Sequence, residues 1–138
     1  MALHLSPSAM STAGILLVSV VAIEWGGLFL LRVSSGSVPV TDFQRRFFRA
    51  GHAHAGVLVT LGLVTVLLTE ATGLTGVIGE VARSGVPLAA ILMSGGFFLA
   101  AGGEGRTRPR PAGLALLALG ALSLTAGVLT LGIALLAT

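Results

Sequence analysis

Four long apolar runs divide the chain, and its polar residues gather between those runs rather than alternating through them. Met10 to Leu31 carries a single charge, Glu24, whereas Gly51 to Thr69 has no formal charge but opens on His52 and His54. Val86 to Gly103 is short and uncharged, and Pro111 to Thr138 runs 28 residues without a charge. A hydrocarbon layer roughly 30 Å thick is crossed by about 20 helical residues. Backbone amides in lipid must be satisfied within their own segment, and no run shows the period-two alternation of a half-buried strand. The pattern predicts an all-α protein, an integral membrane four-helix bundle of antiparallel up-down topology. One transmembrane domain would cover residues 1–138, with spans at 10–32, 47–69, 86–103 and 111–136.

Local signals refine these boundaries. Thr41-Asp42-Phe43-Gln44 fits a capping box, so the second helix should start a turn or more before its apolar run. Pro7 and Pro39 are read as tail and loop residues, and Pro87, Pro109 and Pro111 as helix entrances, where a missing amide proton costs nothing. Gly73, Gly76 and Gly79 make the connection from Glu70 to Gly85 read as turns, a short interfacial piece with Val77, Ile78 and Val81 dipping inward. No chemistry is assigned to it. Of the 20 glycines, Gly113, Gly120 and Gly127 recur every seven residues and, with Ser123 and Ala126, predict a close-packed seam on the fourth helix. The phrases "GGLFLL" at Gly26-Gly27 and "GGFFLA" at Gly95-Gly96 suggest a duplicated helical hairpin of the parallel type.

Composition strengthens the membrane reading. Charged residues make up 9% of the chain and hydrophobic ones 54%, against roughly a quarter charged in soluble domains. The absence of cysteine excludes disulfides, thiolate metal sites and cysteine nucleophiles. A net charge of +3, with no aromatics interleaved among the arginines, is no nucleic-acid footprint. Those arginines report orientation instead. Arg32, Arg45, Arg46 and Arg49 flank the first connection, Arg106, Arg108 and Arg110 fill the third, and Arg83 alone lies in the second. The bias puts connections one and three in the cytoplasm and both termini outside, in the cytoplasmic (inner) membrane of a bacterium. The N-terminal tail has no basic cluster and no small-residue cleavage site follows the first run, so a removable signal peptide is not expected.

An ionisable residue inside a span is a functional hypothesis by default. Glu24 lies eight residues before Arg32, about 12 Å along a helix axis; His52 and His54 lie three and five residues after Arg49, about 4.5 and 7.5 Å inward. If the arginines mark one headgroup level, neighbouring helices bring Glu24 against the histidines, and this contact is the central expectation. Such a site would relay protons through Glu24, or hold a metal ion or heme on His52 and His54, with Glu24 as a further metal ligand. The two imidazoles point about 200° apart on a straight helix, which disfavours one chelated ion within a single chain. Their plainer role is hydrogen bonding to backbone carbonyls or water. His4, in the tail, is read as incidental. Arg45, Arg46 and Arg49 are read as lipid-headgroup anchors, and Phe43, Phe47 and Phe48 as seating the helix start in the interface.

At "GHAHAG" the sequence resembles, over a handful of residues, the His-x-His helix of heme-copper oxidase subunit I and related nitric-oxide-reductase-like membrane proteins. The resemblance implies that His52 or His54 is an axial ligand of a b-type heme. Those proteins are much larger and supply further histidines from later helices, whereas helices three and four have none here. In general type the chain also resembles small four-helix membrane proteins of high-GC bacteria.

Three functions are therefore in play. The first is an accessory redox subunit with an intramembrane His/Glu site for heme, a divalent metal or protons. The second is an oligomeric ion or solute channel or transporter, and the third a non-catalytic subunit of a larger membrane complex. All three make the lipid bilayer a partner and imply a homo-oligomer or complex. No nucleophile, base and orienter constellation is visible, so enzymatic hydrolysis is not indicated.

Overall fold

The computed structural model describes residues 5–137, and His4 lies outside them. Among the described residues the chain forms four helices and no strand: α1 (Pro7–Ser34), α2 (Asp42–Thr72), α3 (Gly76–Ala101) and α4 (Pro111–Leu136). Each is long and apolar enough to cross a membrane.

The boundaries follow from capping chemistry. The Ser6 hydroxyl accepts from the Ala9 amide, and Pro7, expected in the tail, is the first helical residue of α1. Proline is well suited there because the amide it lacks would have had no helical acceptor. At α2 the predicted capping box is complete, with Thr41 accepting from the Gln44 amide and Gln44 accepting from the Thr41 amide. The helix accordingly starts at Asp42 and runs to Gly73, whose φ of 67° provides the left-handed turn that ends it.

The largest departure from the sequence reading is the second connection. The expected turns of residues 70–85 shrink to a link at Gly73–Thr75, and α3 begins at Gly76 rather than near Val86. Glycines weaken a helix, but here Gly79 and Gly85 permit close approaches, while Gly73 and Gly76 have nothing within 4 Å of an added Cβ. An added Cβ at Gly79 would lie 2.6 Å from the Leu74 carbonyl oxygen, and one at Gly85 would lie 2.6 Å from the Gly127 Cα. Tertiary contact thus outweighs the local cost of glycine. Pro87 is consequently inside α3 and not at its entrance. It removes the amide that would bond to the Arg83 carbonyl, and its ring sits against α2 where Gly62 leaves space, 3.5 Å from the position of an added Cβ.

The α4 seam packs as its spacing predicts. Gly113 meets Ala100, Gly120 meets Met93, and Gly127 meets Gly85, while the Ser123 hydroxyl donates to the Gly85 carbonyl at 2.8 Å. Ala126 departs from the expectation and is exposed. Along α3 the buried side is built from small residues, Ala82, Val86, Ala89, Ala90, Ala100 and Ala101. α3 is the most enclosed helix and α1 the least. Large apolar side chains cover the outside all round, among them Ile15, Val18, Trp25, Val57, Val77, Ile91, Leu122 and Leu136. A soluble protein keeps no such continuous apolar exterior.

The third connection is clamped from α2. Buried Gln44 donates from its amide nitrogen to the Ala101 carbonyl at 2.9 Å and to the Gly103 carbonyl at 2.6 Å. Thr41 donates to the Arg106 carbonyl, and the Arg110 amide to Ala100 at 3.0 Å. One capping glutamine therefore starts α2 and ties down the end of α3. Gln44→Ala is expected to lower stability by about 1–3 kcal/mol, because buried carbonyls lose their donors. Gln44→Glu should be worse, since a carboxylate would face two carbonyl oxygens. Unfolding in detergent micelles measures both.

Candidate functional site

The imidazole pair spans the third and fourth turns of α2, and the helix directs the two rings to different neighbours. His52 faces α1, where Gly26 and Gly27 leave room for it. An added Cβ at Gly26 would lie 3.3 Å from the His52 Nδ1, and one at Gly27 3.5 Å from its Cε1. His54 faces α3, its ring 4.8 Å from that of Phe97 between centroids. The His54 Nδ1 lies 2.8 Å from the Ala50 carbonyl oxygen. A carbonyl can only accept, so Nδ1 carries a proton there and Nε2 is the ring atom left for other chemistry.

An aromatic group surrounds this end of the bundle. All six phenylalanines join it, Phe29 from α1, Phe43, Phe47 and Phe48 from α2, and Phe97 and Phe98 from α3. Phe48 lies between Phe29 at 5.4 Å and Phe98 at 5.6 Å. These rings, three of them expected to seat α2 in an interface, also join α1, α2 and α3 to one another. The two double-glycine phrases lie beside this group, but their glycines differ in use. Gly26 and Gly27 admit His52, whereas Gly96 lets the α4 backbone approach and Gly95 has no close neighbour.

Glu24 does not reach the histidines. It is exposed on the flank of α1, and among the described residues it has no hydrogen bond or ion pair to His52 or His54. The depth argument holds, because His52 abuts Gly26 and Gly27, within a turn of Glu24. The direction fails. On a helix of 3.6 residues per turn Glu24 lies about 100° from Ile23, which packs inward. Three titratable side chains thus share one level without touching.

That geometry bears on the cofactors. Among the described residues no group of three or more His, Asp or Glu side chains converges as a metal site. For heme within a single chain the donors do not fit: His52 and His54 diverge to separate helices, and His54 is backed by Phe97. Arg45, Arg46 and Arg49 are exposed along the start of α2. Compared with known proteins, the chain matches no family model, no curated protein and no solved structure.

A second polar cluster, at the other end of the bundle, was not anticipated. Arg83, expected in a loop, is buried in α3 and donates from Nε and Nη2 to Glu70 Oε1 at 3.2 and 2.8 Å. Its Nη1 reaches Glu80, and the Ser6 amide donates to Glu70 Oε2 at 2.7 Å. The signal available was Glu80 and Arg83 at i, i+3, legible only once residues 76–85 are taken as helix.

Proposed function

We propose that the protein is a polytopic protein of the bacterial inner membrane, its helices crossing up and down with both termini outside, which carries protons at His52 and His54 as an accessory subunit. The observation that carries the reading is the Nδ1 bond of His54 to Ala50. A ring anchored in this way exchanges its proton through Nε2 alone, and it does so in a partly buried position beside an aromatic wall. Diverging imidazoles are poor chelators but serviceable successive carriers, since a relay needs stations rather than convergence. The arginines at the same end then sit at the cytoplasmic headgroup level, supplying orientation.

The test is proton uptake into proteoliposomes holding a pH-sensitive dye, driven by a potassium diffusion potential. His54→Ala is expected to slow uptake by an order of magnitude or more, and His52→Ala to slow it as well. Unchanged uptake in the double substitution would overturn the reading. So would gently purified protein with a Soret band or stoichiometric metal lost on His54→Ala, which would make the site a coordination site.

A further inference from the structure

The exposed side of α1 carries a pattern that neither the fold nor the imidazoles use. Met10, Gly14, Leu17, Val21, Glu24, Leu28 and Leu31 follow one another at intervals of four and three, and all seven are exposed. This is the heptad spacing of a left-handed helix pair, in which alternate positions face one partner along a single seam. The seam lies well round the helix from the side that packs inward through Leu16, Ile23 and Gly27. At its narrow end Gly14 has nothing within 4 Å of an added Cβ, so another backbone can approach there.

We infer that a second copy of this chain covers the seam, pairing α1 with α1 side by side around a twofold axis, and that the two Glu24 carboxyls meet at the pair's centre. The occupant follows from Glu24. A lone carboxylate against acyl chains is costly, and among the described residues of its own chain it has no hydrogen-bond or ion-pair partner. Copies inserted with the same orientation present Glu24 at the same depth, and a carboxyl group is self-complementary, because its hydroxyl can donate to the oxygen of a second carboxyl. A single polar residue among apolar heptad positions also selects one register and one partner orientation. The site is incomplete in one chain, because each carboxyl needs the other. This pairing is independent of proton carriage by the histidines.

The absence of cysteine makes the test direct. Single cysteines at Leu17, Val21 or Leu28 in otherwise wild-type protein are expected to give disulfide-linked dimers on oxidation in membranes. Cysteines at Ile15 or Ala22, exposed on another side of α1, should not. In liposomes with donor- and acceptor-labelled chains, Glu24→Gln should keep pairing, because an amide both donates and accepts. Glu24→Leu should weaken pairing roughly tenfold, in keeping with one interhelical hydrogen bond in lipid. Links spread equally over all five positions, links to a protein of different mass, or Glu24→Leu pairing as tightly as wild type would each overturn the inference.

Discussion

Arg83→Ala is expected to remove about 3–5 kcal/mol of folding stability, the range for a buried ion pair that loses one member. Arg83 uses three nitrogens on two carboxylates, and both it and Glu70 are almost wholly enclosed, with side chains 10% and 8% exposed. Removing the guanidinium leaves the Glu70 carboxylate buried with Ser6 alone to donate to it. The damage would reach three helices, since Glu70 closes α2, Arg83 belongs to α3 and Ser6 caps α1. Replacing Glu70 and Arg83 together with methionine should recover much of the loss, because neither charge would then be stranded. Unfolding titrations in mixed micelles compare the two cases; a single substitution costing under about 1 kcal/mol would show that the pair does not hold the three helices together.

Gly113→Ala should be nearly as severe. The added methyl would lie 2.4 Å from the Ala100 nitrogen and 2.5 Å from its Cα, and a backbone cannot move aside as a side chain can. The α3–α4 contact must open along its length, at a cost of about 1–3 kcal/mol or more for overpacking. Gly127→Ala should behave similarly, with its neighbour the Gly85 Cα at 2.9 Å. Gly132→Ala is the comparison: nothing lies within 4 Å of its added Cβ, and helix propensity there should gain up to about 1 kcal/mol. Thermal denaturation in detergent ranks the three. Equal midpoints for Gly113→Ala and Gly132→Ala would contradict the seam.

These two substitutions also mark what could be read in the sequence. The glycine period of α4 was legible because its cause is local: equal spacing puts small residues on one face, whatever partner they meet. The capping box at Thr41 was legible for the same reason. The start of α3 was not, because Gly79, Gly85 and Pro87 disfavour helix locally and are accommodated by close contacts with the Leu74 link, Gly127 on α4 and Gly62 on α2. Placing residues 70–85 in turns then hid Arg83 as a loop charge and left Glu70 without a partner. At the candidate site, axial depth was recoverable from residue counting, so His52 and Glu24 share a level. Azimuth was not, since the direction in which α1 presents Glu24 depends on packing at Leu16 and Gly62.

The placement of the aromatic residues has a practical corollary. The chain has one tryptophan and no tyrosine, and the six phenylalanines draw together around α2 while Trp25 stands apart on α1, 69% exposed. Its indole is an intrinsic fluorophore that looks outward from the least enclosed helix, one residue beyond Glu24. Emission colour and quenching by brominated acyl chains therefore track the medium around α1 with no label attached and almost no background from the rest of the molecule.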